Sequence, residues 1–151
     1  MYTRFVSSST TAIIGAIAVI AVTGAAFAAP IDDRQAAMKN VGKAMGALAA
    51  IAKKEAPFDA SVVNTNATTL ADNVKTAKGH FPEGSATGDK ETWAKAEIWQ
   101  NKADFDAKAD QAVAAAMAMA AVTDEADFGT ALGTLGGACK ACHTDYRRPK
   151  E

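Results

Sequence analysis

From about residue 32 onward, apolar positions recur at spacings of three and four rather than two. That period belongs to amphipathic helices, not to half-buried strands. Met38, Val41, Met45, Leu48 and Ala52 form one stripe and predict a first helix over 32–54. Asp32 or Asp33 would cap it and Pro57 would stop it. Val63, Leu70, Val74 and Ala77, with Ala67 beside them, predict a second helix over 59–78, capped by Asp59 or Ser61 and ended at Gly79. Trp99, Phe105, Ala109, Val113, Ala116 and Ala120 predict a third, from 92 or 95 to 121. Phe128, Leu132, Leu135, Cys139, Cys142 and Tyr146 predict a fourth, beginning at a cap on Asp124.

Four helices of roughly 20 residues with short connections imply an all-α, antiparallel up-down-up-down four-helix bundle. Two features interrupt that regularity. The segment 80–90 is rich in Gly, Pro, Ser and Asp and exceeds the roughly 2–8 residues usual between bundle helices. It is expected to cover something. Gly42 and Gly46 sit inside the first helix, each at a cost of about 1 kcal/mol relative to Ala. They point to close approach by a neighbour or a flat ligand.

The first residues follow a different pattern. Arg4 precedes an apolar run over 12–22, and Ala26-Phe27-Ala28 follows. A short basic start, an apolar stretch and a small-residue exit make a cleavable export leader. The run falls short of the roughly 20 apolar residues that span a bilayer. The expected organisation is a leader over 1–28 and one mature domain over 29–151, with no stable membrane span after cleavage. The formal net charge is −1, and losing Arg4 makes it one unit more negative. No basic cluster points to a nucleic-acid partner.

Export changes how the two cysteines read. An exported pair is usually a disulfide, a redox dithiol belongs near a βαβ pattern, and a structural zinc site needs four ligands. Here no βαβ pattern is visible, and the only histidine outside the cysteine motif is His80. Cys139-Lys140-Ala141-Cys142-His143 spells C-x-x-C-H, the attachment signature of a c-type haem. Two thiols one helical turn apart can add to the vinyl groups of one porphyrin. His143, four residues after Cys139 on the same face, becomes the proximal iron ligand. The cofactor is one covalent haem c.

The sixth iron position decides what such a haem does. Candidates are Met38, Met45, Met117, Met119 and His80. A bundle is expected to pack its first and last helices together, which favours Met38 or Met45. These two lie about 10.5 Å apart along a helix, so only one can face the iron. A His/Met pair raises the potential and suits electron transfer. An empty position leaves the iron open to small gases. No general base, nucleophile or substrate pocket is evident, and the chain is not read as an enzyme.

Three features resemble the class II cytochromes c, the family of cytochrome c′ and cytochrome c-556. The haem motif lies near the C-terminus, as Gly136-Gly137-Ala138-Cys139-Lys140-Ala141-Cys142-His143 with Tyr146-Arg147 after it. The first helix carries Arg34-Gln35-Ala36-Ala37-Met38-Lys39, similar to the family's R-Q-x-x-[M/L]-K. Ala96-Glu97-Ile98-Trp99 followed by Phe105 is similar to P-E-I-W…F, with Ala96 in place of the proline. The resemblance covers essentially the whole mature chain. It implies that Met38 is the distal ligand of a low-spin c-556-like haem, where leucine would leave a five-coordinate site binding NO or CO. It implies propionate contacts for Arg34, Gln35 and Ser85, and a proximal-side role for Arg147. It implies a periplasmic electron carrier that exchanges electrons with redox partner proteins. Members of the family are monomers or homodimers.

Overall fold

A computed structural model of the chain describes residues 25–88 and 90–149, the first four by backbone alone. The expected leader therefore lies, up to residue 24, outside the described residues. Five helices follow in order: α1 Ala25–Ala52, α2 Ala60–Lys78, α3 Glu97–Gln100, α4 Lys102–Ala120 and α5 Glu125–Tyr146. Among the described residues the only extended pairing is a single antiparallel bridge, Ala94 to Arg147.

The α2 helix matches its sequence pattern closely. The Asp59 carboxylate accepts from Ser61 N at 2.7 Å and Val62 N at 3.2 Å, satisfying two amides that open the helix. Val63, Ala67, Leu70, Ala71, Val74 and Ala77 are its buried face. All but Ala77 pack with Leu48, Ala116, Met119 and Leu135 into the main core. Each large apolar side chain so buried contributes about 1.5–3 kcal/mol. Gly79 ends the helix as expected, at φ −71° and so without the left-handed conformation that glycine allows.

The first helix begins earlier than its pattern predicts. Asp32 and Asp33 are inside α1, not at its cap. The chain upstream is already helical, so no free amides remain there for a cap to satisfy. The two carboxylates turn instead to the loop after α2, Asp32 to Lys90 at 2.6 Å and Asp33 to His80 at 3.6 Å.

The expected third helix is broken. Asn101, at φ −124° and ψ 46°, separates α3 from α4, and residues 92–95 are extended rather than helical. This moves burial from Trp99 to Ile98, which is 2% exposed. The last helix starts on its expected cap, with Asp124 accepting from Ala126 N at 2.9 Å.

Packing seams join α1 to α2, α2 to α4 and α4 to α5, while α1 and α5 barely touch. The expectation that the first and last helices pack directly is thereby corrected. A cavity holds them apart. The bundle itself stands, as an all-helical fold with one open side.

Candidate functional site

The open side is a cavity of about 900 Å³, within the range of small-molecule sites. The α1 side contributes Met38, Lys39, Val41, Gly42 and Met45, and the α5 side contributes Cys139, Cys142, His143, Tyr146 and Arg147. Val74, Ala77, Phe81, Ile98, Phe105, Ala109 and Ala112 make its apolar floor.

Helix periodicity explains the α5 wall. Cys142 and His143 lie three and four residues after Cys139, and Tyr146 lies four and three after them, so all four fall on one side of the helix. The two cysteines are not bonded to each other, and both are half-buried. Burial pushes the Cys139 thiol up and takes Cys142 to about 11. Burial, and then the nearby Arg147 charge, lowers His143 from its ordinary value. Its imidazole is neutral at neutral pH, the form that binds metal.

Tyr146 closes the inner end of this wall. Its ring packs edge-on against Phe105 at 5.4 Å, and Phe105 packs on Phe81 at 4.8 Å. The phenol donates to Asp104 Oδ2 at 2.5 Å. That bond raises the phenol to about 12. Lys108 first, and Tyr146 second, hold the Asp104 carboxyl below the usual range.

On the α1 wall the structure sorts the five candidate distal ligands. Met38 and Met45 both line the cavity. Met119 is fully buried in the core, Met117 is exposed, and His80 lies by Asp33, so none of these three reaches it. Met45 is partly buried against the main core, while Met38 is 36% exposed.

The two glycines separate in the same way. A Cβ built on Gly42 meets nothing within 4 Å, and Gly42 lines the cavity. Its missing side chain leaves room on the cavity side, as a flat ligand requires. A Cβ on Gly46 also meets nothing, but Gly46 does not line the cavity. The expected close neighbour is therefore absent at Gly46.

The proposed propionate contacts are distributed unevenly. Arg34 is 3% exposed, and its terminal nitrogens donate to His80 O, Ser85 Oγ, Ser85 O and Thr92 Oγ1 at 2.9–3.2 Å. A guanidinium has four terminal N–H groups and one on Nε, so its terminal donors are spent on the loop after α2. It also lies over the Phe81 ring at 4.6 Å. Ser85 is fully buried, bonded to Pro82 O at 2.8 Å, and does not line the cavity. The structure thus brings Arg34, Gln35 and Arg147 to the cavity and leaves Ser85 behind it. Gln35 donates its amide to Glu91 O at 2.7 Å.

Sequence reasoning missed Glu91, Thr92, Trp93 and Ala94, which also line the cavity. Among its described residues the expected covering loop, 80–90, supplies only Phe81; the segment after it supplies the cover. No periodic pattern marks a short extended piece between helices. An indole within a polar stretch was the only available signal.

The residues fit a haem on chemical grounds. The cavity is mostly apolar, two thiols and a neutral imidazole stand on one wall, and two thioethers stand on the other.

Comparison with known proteins agrees. Residues 29–147 match the family described as Cytochrome C'. A cytochrome c-556 of Agrobacterium fabrum is 45% identical over 130 residues, covering 84% of this chain and 87% of that protein. A cytochrome c' of Rhodopseudomonas palustris is 39% identical over 142 residues, covering 91% and 97%. The solved cytochrome c' structure from Rhodopseudomonas palustris superposes with a TM-score of 0.76 at 38% identity, covering 81% of this chain and 98% of that one. The chain belongs to the cytochrome c′ family and is a c-type cytochrome built around one covalently attached haem c.

Proposed function

We propose that this protein is a one-electron carrier of the periplasm, with a low-spin haem bound by His143 and Met38. The observation that carries the reading is the position of Met38 on the α1 side of a cavity whose α5 side holds His143. Cys139 and Cys142 form the thioethers that fix the cofactor. The haem supplies the ferric–ferrous couple, and its potential follows from the axial ligands and the surrounding polarity. His143 presents a neutral nitrogen. Met38 fills the other side, so little rearranges when the charge changes. Arg147 and Gln35 stand on the cavity wall, where they can meet propionate carboxylates. Arg34 holds the covering loop.

Residues 1–28 are the export leader, and 29–151 are the mature protein. The family match beginning at residue 29 supports this division, as does Pro30, which cleavage would leave in the first helical turn where its missing N–H costs nothing. No helix among the described residues is long and apolar enough to cross a membrane. The protein's partners are redox proteins of the same compartment, and it acts as a carrier rather than an enzyme.

The absorption spectrum of the reduced protein tests the reading. A low-spin, methionine-bound signature is the expected result. A high-spin spectrum with rapid carbon monoxide binding would overturn it in favour of a five-coordinate haem that binds NO or CO. The partial exposure of Met38 is what favours that second reading.

A further inference from the structure

The two walls of the cavity are joined by one short segment, residues 91–95. At its start, Glu91 O accepts from Gln35 at 2.7 Å and Thr92 Oγ1 accepts from Arg34 at 3.2 Å, both on α1. At its other end it pairs with the C-terminus. Arg148 N donates to Trp93 O at 2.8 Å, and Lys95 N donates to Tyr146 O at 3.0 Å. Lys95 Nζ also reaches Thr144 O at 3.1 Å, and the Arg148 guanidinium bonds Thr92 O. The segment is a strap across the gap that α1 and α5 leave open.

Trp93 sits in the middle of this strap. It lines the cavity and is 40% exposed, so it borders haem site and solvent at once. An indole buries on the order of 150–250 Å² when covered, and no smaller side chain on the strap could shield as much. We infer that Trp93 is the seal of the haem site: held by the strap, it keeps water from the cofactor edge and so raises the reduction potential. Water favours the more highly charged ferric state, and excluding it shifts the couple toward ferrous.

The inference rests on haem occupying this cavity but not on Met38. It is tested on the full haem-loaded protein by spectroelectrochemistry. Trp93→Ala should lower the midpoint potential, reducing the ferrous-to-ferric ratio at fixed ambient potential by about tenfold, with the axial-ligand signature unchanged. Trp93→Phe should retain most of the parent potential. Arg148 does not itself line the cavity, but Arg148→Ala removes its guanidinium bond to Thr92 O, loosens the strap, and should shift the potential the same way by less. An unchanged potential in Trp93→Ala overturns the inference. So does a change confined to the rate of electron exchange with a soluble dye, which would make Trp93 a contact surface. Should Trp93→Ala not fold, Arg148→Ala decides, and a parental potential there overturns it. Failure of the underlying haem reading shows separately, as a missing covalent mass.

Discussion

The two walls of the cavity differ in how they hold their chemistry. On α5, Cys139, Cys142, His143 and Tyr146 follow from one helical face, and Tyr146 locks that face to Asp104 and Phe105. On α1, Met38 and Met45 both face the cavity, one partly exposed and one against the core. Beside them Gly42 leaves space rather than filling it. On the proposed reading, the α5 wall anchors the haem and the α1 wall selects its ligand. Attachment needs fixed groups one turn apart, whereas ligand choice depends on a single side chain that can reach or withdraw.

The largest effect should come from the anchoring wall. Replacing both Cys139 and Cys142 by Ala should abolish covalent attachment, read as loss of the haem mass after denaturation. A retained mass would break the comparison outright. Next is the selecting wall. Met38→Leu should convert the iron to high spin and lower its potential, while Met45→Leu should leave the spectrum low-spin. The reverse pattern would assign the role to Met45.

Arg34 tests whether the α1 wall depends on the loop. Arg34→Leu removes a buried cation and the four hydrogen bonds it donates, and should cost about 3 kcal/mol in chemical denaturation. The loss should appear with or without haem, since its terminal donors bind protein.

A smaller, pH-dependent effect belongs to the α5 wall. The Tyr146 phenol is raised from 10.0 to about 12 in the folded chain, so the unfolded chain loses that proton first as pH rises. Its contribution is complete below about pH 10 and fades as pH approaches 12. Thermal melts across that window should show Tyr146→Phe with a shallower decline than the parent. The smallest effect separates the two glycines. Gly46→Ala should stabilise the protein by about 1 kcal/mol through helix propensity without altering the haem spectrum. Gly42→Ala should gain similarly only in the haem-free chain, because its new methyl group enters the cavity.

The difference between the walls also governed what could be read in advance. C-x-x-C-H is a local pattern, and α2 is written in the spacing of Val63, Leu70 and Val74. The break at Asn101 was not legible, because the apolar period continues through it; pairing of 92–95 with the C-terminus overrides local preference. The capping roles expected of Asp32 and Asp33 were lost to helix already present upstream. Arg34 was seen as important, but its partners lie 46 to 58 residues away, a distance no local pattern reports. Ser85 and Trp93 exchanged importance for the same reason. Which loop residue faces inward depends on how the loop is tied.

The weak contact between α1 and α5 has a consequence for assembly. Every principal seam joins helices adjacent in chain order, apart from the short α3. Such a chain can zip together as successive hairpins, with little long-range search to slow it. The distant ends need not find each other to build the core. The contact that spans nearly the whole sequence, α1 with α5, is among the weakest, and it falls at the pocket. A fold arranged this way can keep its mouth accessible while the cofactor is installed and shut it afterwards.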